Sequence, residues 1–358
     1  MSDPLNLSVF LGIIILRLIM PLFIPRWPLP AIIAALVIDG IDGGVLERFT
    51  TLPLDNYQSY DKALDIYYLV IAYLATMRNW TNRDAFVVSR FLIYYRLVGV
   101  VLFEWTHARW LLFVFPNTFE YFFIFYEVVR LRWNPARMSR RLVYGAAAAI
   151  WIAIKLPQEY WIHVAQLDAT DTLATYPVLI VILAVVTIAL LILLRWLMIS
   201  KWPPADHPIS FDTGHPIPEG EITTILRQYR SLSWRLQQLP EKIVLVTLVS
   251  LIFSQILPNT RLSTLEMTLG VIVVIVANTL VTEWVSGRFS IWWGAVGQFL
   301  TMAVINLGLA LILNVLTPSR DEPLVFGNVV FFLYLISLLI TLFDLFLAIY
   351  KAREDGVA

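Results

Sequence analysis

Long apolar runs limit what this chain can fold into more than any other feature of its sequence. A helix needs about 20 mainly apolar residues to cross roughly 30 Å of hydrocarbon, and the sequence offers eleven such stretches. Backbone polar groups in lipid must be satisfied within their own segment, so each stretch is expected to be a helix. The approximate boundaries are 8–25, 29–46, 62–79, 84–105, 109–131, 141–164, 174–199, 241–258, 264–286, 291–316 and 323–350.

The composition supports the same fold class. Of the 358 residues, 59% are hydrophobic and 15% are charged, whereas a typical soluble domain is about one quarter charged. We therefore predict an all-α polytopic integral membrane protein with about 11 transmembrane helices, in a range of about ten to twelve. The formal net charge of zero argues against a nucleic-acid partner. The absence of cysteine excludes disulfides, thiolate catalysis and cysteine-ligated metals.

The distribution of Lys and Arg predicts the orientation, because short cytoplasmic loops carry an excess of these residues. The most basic stretches are Arg130–Arg141, the segment 195–242 and the C-terminal KARED, and we expect all three in the cytoplasm. The opening MSDPLNLS holds no Lys or Arg, so the first stretch is expected to be a permanent span rather than a signal peptide. An odd number of spans then predicts a multi-pass protein of the cell membrane, with its N-terminus outside and its C-terminus cytoplasmic.

One longer polar segment divides the chain. Residues 200–240 begin with an irregular, Pro-rich sequence, and then Ile222, Ile225 and Tyr229 recur at helical spacing beside arginines. This pattern predicts a short amphipathic helix on the cytoplasmic membrane surface. We therefore expect an N-terminal seven-helix part (1–199) that bears the charged site, a cytoplasmic loop (200–240) and a C-terminal four-helix part (241–358). A membrane protein partner would bind residues 201–240 or the last four spans.

Four carboxylates frame the second and third predicted spans. Asp39 and Asp42 are three residues apart in the motif DGIDGG, and Asp61 and Asp65 are four apart, so each pair would share one helix face. Hard divalent cations prefer carboxylate oxygens, and Mg²⁺ often binds one or two carboxylates together with substrate phosphate. The pattern predicts a Mg²⁺ or Mn²⁺ site formed by all four aspartates, with Asp61 and Asp65 as catalytic residues.

The motif DGIDGG also has a structural interpretation. Asp is common at helix ends, where it stabilises the first turn, and Gly allows the backbone to turn sharply. On this interpretation the second span ends at the motif, and the carboxylates have no ligand. The sequence leaves both interpretations open.

The acidic residues resemble part of the signature of the CDP-alcohol phosphotransferases, which reads Asp-Gly, Ala-Arg, Gly and Asp-x-x-x-Asp across two membrane helices. Here Asp39-Gly40 or Asp42-Gly43 is followed by Asp61-x-x-x-Asp65. Counted from Asp42, the spacing exceeds the family's by one residue. Leu46-Glu47 replaces the Ala-Arg pair, and the family glycine falls near Tyr57 or Gln58. The resemblance covers about 30 of 358 residues. It implies a site at the cytoplasmic face, whereas the predicted orientation puts these residues outside.

Charged residues also lie within the fourth and fifth predicted spans, where each costs at least about 2.5–3.5 kcal/mol on insertion scales. Arg90 and Arg96 lie in the fourth span, and Glu120 and Glu127 follow Pro116-Asn117, a pair that is expected to break the fifth. We predict cross-helix pairs between Arg96 and Glu120 and between Arg90 and Glu127. These four side chains either lock helix packing or form a substrate-binding site for an anion such as a lipid phosphate.

Three functions fit these patterns. The first is an enzyme that acts on a lipid-linked phosphate substrate, by phosphotransfer or glycosyl transfer, through a carboxylate-bound divalent metal that neutralises the phosphate. The second is an ion-coupled transporter of an anionic small molecule that uses the same charges. The third is a non-catalytic membrane subunit or assembly factor. Membrane lipids are the expected partners in each case, and the sequence holds no cofactor motif beyond the metal site.

Overall fold

The computed structural model describes residues 4–50, 54–165, 204–214, 232–256, 264–286, 299–308 and 326–355, together with the single positions 178, 181, 185 and 297. Within these ranges the regular secondary structure is helical and contains no strand, which confirms the all-α prediction. The α-helices are α1 (Pro4–Ile19), α2 (Pro28–Phe49), α3 (Leu54–Asn79), α4 (Arg83–Thr106), α5 (Trp110–Val114), α6 (Thr118–Arg130), α7 (Arg140–Ala149), α8 (Leu156–Glu159), α9 (Leu232–Ile256), α10 (Thr264–Ser286), α11 (Phe299–Gly308) and α12 (Phe326–Glu354).

Five segments of the described chain are long and apolar enough to cross a membrane. They are Pro28–Phe49, Arg83–Thr106, Trp110–Arg130, Gln237–Ile256 and Phe331–Glu354. Shorter apolar helices cover Ser8–Phe23, Thr268–Leu280 and Phe299–Gly308. The prediction of about 11 spans is not confirmed. The predicted span 174–199 and most of 291–316 lie outside the described residues.

Helix α3 occupies the centre of the bundle. Every position from 66 to 77 is buried, and α1, α2, α4, α9 and α12 all pack against this helix. A helix that is apolar on all sides belongs in the interior of a protein. The second half of α3 is therefore enclosed by other helices, whereas Asp61 and Asp65 in its first half are partly exposed.

One end of the bundle gathers the basic segments, and we call it the arginine-rich end. Residues 24–27, 78–83, 130–141 and 351–355 meet there. The joining contacts are Arg78 Nη1 to the Pro25 carbonyl (2.5 Å), Arg83 with Glu354 (3.8 Å) and Arg140 with Asp84 (3.7 Å).

Residues 204–214 lie across the same end, where the Asp206 backbone N–H donates to the Arg132 carbonyl at 2.9 Å. The segments that the charge bias places on one side of the membrane therefore share one end of the bundle. That this side is the cytoplasm stays a prediction.

The predicted helix break at Pro116-Asn117 is confirmed. Helix α5 ends at Val114 and α6 begins at Thr118, because Pro116 has no N–H to continue the hydrogen-bond ladder. Helix α4 approaches this break closely at Gly99, where an added Cβ would lie 2.1 Å from the Phe115 Cβ atom. Glycine is required at this position because no side chain fits between α4 and the break.

Two π-helical segments interrupt the helix that follows. After α7, residues Ile150–Lys155 and Tyr160–Val164 are π-helical and flank the single α-turn of α8. A π-helix adds a residue to the turn and re-aims the side chains that follow, and such segments are frequent at functional sites. Here they turn Lys155 and Glu159 into the protein, where both are buried.

Most of the eighth predicted span, 241–258, lies in helix α9. This helix runs from Leu232 to Ile256 through Pro240, and its part that is long and apolar enough to cross a membrane is Gln237–Ile256. Most of the predicted amphipathic helix, including Ile222, Ile225 and Tyr229, lies outside the described residues. Helices α9 and α12 pack on α3, and α9 also packs on α4. The functional division into 1–199, 200–240 and 241–358 stays a prediction.

Candidate functional site

The motif DGIDGG does not end its helix. Helix α2 runs from Pro28 to Phe49, so Asp39 and Asp42 lie within it, and the turn expected at the glycines is absent from this described segment. The helical spacing of three residues instead places both carboxylates on the face that meets α1 and α3. Helix α3 contributes Asp61 and Asp65 in the same way, one turn apart.

All four carboxylates converge on one side chain that the prediction did not include, Arg17 of α1. Its Nη1 atom bridges Asp42 and Asp61, and its Nη2 atom bridges Asp39 and Asp65, the last at 2.5 Å. Each guanidinium nitrogen therefore joins one aspartate of α2 to one of α3. We call Asp39, Asp42, Asp61 and Asp65 the aspartate quartet.

Local structure holds Arg17 in place. Helix α1 passes into a 3₁₀ turn at Met20–Phe23, next to Arg17. Near this change the Leu18 carbonyl accepts a hydrogen bond from the Tyr67 hydroxyl of α3 at 2.9 Å. The guanidinium itself is 4% exposed. Packing and hydrogen bonding thus direct the arginine at α2 and α3 rather than towards the bundle surface.

The quartet lies halfway along its helices rather than at a helix end. Asp39 is eleven residues after Pro28 and ten before Phe49, which is roughly 16 Å and 15 Å at 1.5 Å per residue. Asp65 is eleven residues after Leu54 and fourteen before Asn79, roughly 16 Å and 21 Å. Asp39 and Asp65 therefore lie near the middle of α2 and α3 rather than at a helix end, and the membrane face nearest to the quartet stays a prediction.

The charges of the quartet and Arg17 do not balance. One guanidinium stands against four carboxylates, so the cluster carries a formal charge of −3 when all four are ionised. A buried excess of like charge must be relieved by protons or by bound cations. The cluster therefore has the excess negative charge that is typical of a cation-binding site.

Three members of the quartet form an open side. The side chains of Asp39, Asp61 and Asp65 are 29%, 35% and 40% exposed, and one carboxylate oxygen from each lies within 4.8 Å of the others. Opposite ligands of an octahedral Mg²⁺ ion are about 4.2 Å apart, and those of a larger cation are further apart. Small side-chain rotations would close the three oxygens around a divalent ion.

Asp42 lies on the closed side of the quartet. Its side chain is 6% exposed, Oδ2 pairs with Arg17, and Oδ1 accepts a hydrogen bond from the Gly43 backbone N–H at 2.5 Å. Both of its carboxylate oxygens are therefore in use. The group that fits a metal comprises three of the four predicted ligands, and Asp42 is the buried partner of Arg17.

Tyr68 connects the quartet to a second group of buried charges. It adjoins a small cavity beside Arg17. Tyr68 lies within electrostatic range of Asp39 and Asp65 of the quartet and of Glu120. We call Arg96, Asn117, Glu120, Lys155, Glu159 and His163 the Glu120 cluster.

The Glu120 cluster is built around the helix break and the π-helical segments. The Asn117 side-chain amide donates to Glu120 at 2.5 Å, and its backbone N–H donates to Glu159 at 3.2 Å. Glu159 also pairs with His163 at 3.0 Å and lies 4.0 Å from Lys155. The break thus supplies a free backbone donor that joins α6 to α8 through carboxylates.

The two predicted cross-helix ion pairs are wrong. Arg96 Nη1 donates to the Phe115 carbonyl at 2.9 Å, because the helix break leaves that carbonyl without a helical partner. Arg90 instead pairs with Glu241 of α9 at 3.7 Å. Glu120 bonds to Asn117 rather than to an arginine.

Glu127 lies apart from the other predicted anion-site residues. It pairs with Arg130 at 2.5 Å and accepts a hydrogen bond from Trp80 Nε1 at 2.8 Å. The predicted set Arg90, Arg96, Glu120 and Glu127 is therefore spread over three places in the bundle. Of the four, Arg96 and Glu120 lie nearest the aspartate quartet, and both interact electrostatically with members of it.

No protein-family model, curated protein or solved structure matches this chain. The site is therefore interpreted from its own residues.

Sequence reasoning missed Arg17, Lys155, Glu159 and His163. Arg17 is a single charge in an otherwise apolar span, and an intramembrane charge implies a partner of opposite sign. Lys155, Glu159 and His163 follow one another at intervals of four residues, which places them on one helix face and also carried a signal. Sequence spacing did not indicate that Arg17 and the set of Lys155, Glu159 and His163 belong to neighbouring groups of charges.

Proposed function

We propose that this chain is a membrane-embedded enzyme that acts on a lipid-linked phosphate substrate through a divalent cation held by Asp39, Asp61 and Asp65. The observation that carries the proposal is the convergence of four carboxylates from α2 and α3 on one point, with an excess negative charge. A metal bound there would neutralise a phosphate oxygen and orient the group for displacement. Mg²⁺ and Mn²⁺ are the expected ions because the ligands are hard oxygens.

The partial resemblance to the CDP-alcohol phosphotransferases supports the same reaction class. Its acidic residues come from two consecutive membrane helices, and the corresponding residues here occupy α2 and α3 and meet in space. The substrate would be a CDP-alcohol, whose phosphoanhydride bond breaks as an acceptor hydroxyl attacks and CMP leaves, or a polyprenyl-phosphate sugar for glycosyl transfer to an acceptor hydroxyl. In this chain Asp61 and Asp65 have the catalytic role and Asp42 holds Arg17 beside the metal.

Arg17 gives the proposed site a built-in counterion. Without a metal, its guanidinium compensates part of the carboxylate charge. With a metal on the open side, Arg17 would keep its contact with Asp42 and release the other three aspartates. A guanidinium freed in this way is also suited to a phosphate, because its planar fork matches two phosphate oxygens.

Ion-coupled transport is the second candidate, and one observation favours it. The quartet lies at mid-depth, and Tyr68 links it to the Glu120 cluster, so polar groups continue from α1 through α3 and α6 to α8. Chains of ionisable residues within membrane helices are typical of proton and ion pathways. On this reading Asp39 and Asp65 bind the coupling cation and Arg96 faces the anionic substrate.

The experiment uses the purified full-length protein in vesicles with two donor probes, a CDP-alcohol lipid and a polyprenyl-phosphate sugar, each supplied with an alcohol as acceptor. Consumption of either probe is followed by mass spectrometry of the extracted lipids, with MgCl₂ or with EDTA. The proposal expects turnover that requires Mg²⁺ or Mn²⁺ and that Asp65→Asn abolishes, while Asp84→Asn, a change outside the quartet, has no effect. Turnover that persists in EDTA or in Asp65→Asn contradicts it.

The same vesicles separate the second candidate. An ion-coupled transporter would instead move a cation across the vesicle membrane without consuming either lipid, and Asp65→Asn would stop that movement.

The orientation is tested by single-cysteine labelling at Asn56, which the cysteine-free sequence makes specific. Labelling from outside supports the proposed multi-pass arrangement in the cell membrane, with an external N-terminus and a cytoplasmic C-terminus.

A further inference from the structure

A cavity of about 440 Å³ opens at the arginine-rich end, well away from the aspartate quartet. Its volume is that of a site for a small molecule or a lipid headgroup. The polar side chains in its wall belong to Asn79, Arg130, Asn134, Arg137, Asp206 and His207. Neither the quartet nor the Glu120 cluster uses any of these residues.

Arg130 is the fixed element of this cavity. Its Nε atom donates to Glu127 at 2.5 Å, and Glu127 is fully buried and also bonded to Trp80. The guanidinium is 13% exposed, and its Nη1 atom is 3.4 Å from the Asp212 carbonyl. A guanidinium held this way cannot turn out into water to satisfy its remaining donors.

One donor of Arg130 has no acceptor among the described residues. Among the described residues, the buried Nη2 atom has no hydrogen-bond partner. A buried donor without an acceptor costs roughly 1–3 kcal/mol, and more when it is charged. Arg130 lines the cavity and its side chain is 13% exposed, so an acceptor that entered would meet a guanidinium with donors still unused, which favours a ligand that carries oxygen atoms.

Arg137 stands at the open side of the same cavity. Its side chain is 73% exposed, and Asp206 holds it through a 2.5 Å contact to Nη1. Asp206 is itself occupied, because its other oxygen accepts the Asn134 backbone N–H at 2.8 Å. The one carboxylate in the wall is thus engaged, while Arg137 keeps further donors for a ligand.

His207 adds a third basic group. Its Nδ1 atom lies 2.8 Å from the Pro208 carbonyl, which can only accept, so Nδ1 carries a proton. Two arginines and a histidine consequently surround a space that opens at one end of the bundle.

The position of the cavity at the ends of two helices indicates the kind of anion. It opens where α3 ends at Asn79 and α6 ends at Arg130, and Tyr126 lines it. Helix ends and Tyr side chains mark the level of lipid headgroups in membrane proteins. Basic pockets between helices at this level bind phosphate-bearing headgroups.

We propose that this cavity binds a phosphate monoester or diester through Arg130 and Arg137, with the phosphate supplied either by a membrane lipid headgroup or by a soluble compound. Paired guanidinium groups are the usual recognition elements for phosphate because they donate two parallel hydrogen bonds. The proposal does not depend on metal binding by the quartet.

The test measures binding to the full-length protein in detergent, in EDTA so that no metal at the quartet can recruit phosphate. The two probes are inorganic phosphate and dioctanoyl phosphatidate, each followed by isothermal titration calorimetry. The variants are Arg137→Ala and Arg130→Lys. The lysine of Arg130→Lys still compensates Glu127 but lacks the second donor nitrogen, and Arg141→Ala is the matched exposed control outside the cavity.

Each variant is expected to raise the dissociation constant about tenfold or more through the loss of a charge-assisted hydrogen bond, whereas Arg141→Ala leaves it unchanged. Binding of both probes indicates a soluble phosphate source, and binding of phosphatidate alone indicates a lipid headgroup. The proposal is overturned if neither probe binds, or if Arg141→Ala weakens binding as much as the two cavity variants do.

Discussion

Replacing Arg17 by methionine separates the two roles that the structure gives this side chain. Arg17 is 4% exposed and contacts four carboxylates. Removing one partner of a buried ion pair costs about 3–5 kcal/mol, because the opposite charges stay buried without compensation. We therefore expect Arg17→Met to unfold at a clearly lower temperature than the wild type in EDTA.

A divalent cation should restore much of this loss. In the wild type a metal must displace the Arg17 guanidinium from three of the carboxylates. Because this displacement is not needed in Arg17→Met, the variant is expected to bind the metal more tightly than the wild type. A ligand at about 100 times its dissociation constant stabilises the folded state by about 2.7 kcal/mol. The melting temperature of Arg17→Met is therefore expected to rise more on addition of MgCl₂ or MnCl₂ than that of the wild type.

The assay is thermal unfolding followed by tryptophan fluorescence, with Lys242→Met as the matched control. Lys242 is 1% exposed and pairs with Asp344, so its loss also leaves a buried carboxylate, but no acidic cluster adjoins it among the described residues. Lys242→Met should lose a similar stability and gain nothing from the metal. The reasoning is refuted if Arg17→Met gains no more than the wild type, or if Lys242→Met gains as much.

Three further outcomes follow from the same contacts. Asp61→Asn should weaken Mn²⁺ binding at least tenfold in an equilibrium titration, whereas Asp84→Asn, outside the quartet, should leave it unchanged. Equal effects of the two substitutions on Mn²⁺ binding would contradict the assignment of Asp61 as a ligand. Gly99→Ala should destabilise the fold by about 1–3 kcal/mol through overpacking against Phe115, and an unchanged unfolding midpoint would show that α4 and the break are not in close contact. Glu159→Gln should destabilise the fold by about 1–3 kcal/mol, since it removes a charged acceptor from His163 and a backbone N–H, and an unaltered midpoint would argue against the Glu120 cluster.

The sequence predicted the parts of this fold that depend on local pattern. Within the described residues the apolar runs predicted helices, although about 11 spans is not confirmed. Pro116 predicted the break between α5 and α6 because a missing N–H acts locally. The three- and four-residue spacings predicted which faces carry Asp39, Asp42, Asp61 and Asp65. The bias in Lys and Arg predicted that residues 130–141 and the C-terminus share one end.

The predictions that were wrong concern contacts between packed helices. DGIDGG has the composition of a helix end, yet it stays helical, because neighbouring helices supply the stability that three glycines lack. Arg96 finds a carbonyl rather than Glu120, because the break that frees the Phe115 carbonyl also determines what the arginine meets. The convergence on Arg17 joins residues 22 to 48 positions apart. No spacing rule within one helix reaches that far.

Direct binding of Mn²⁺ is the measurement that tests the central claim. Free Mn²⁺ is counted by electron paramagnetic resonance as the ion is titrated into the purified full-length protein. We expect one ion per chain, displaced by Mg²⁺, with binding lost in Asp65→Asn and kept in Asp344→Asn, a carboxylate outside the quartet. If the wild type takes up no more Mn²⁺ than Asp65→Asn, the four carboxylates serve only to hold Arg17, and the proposed metal centre is wrong.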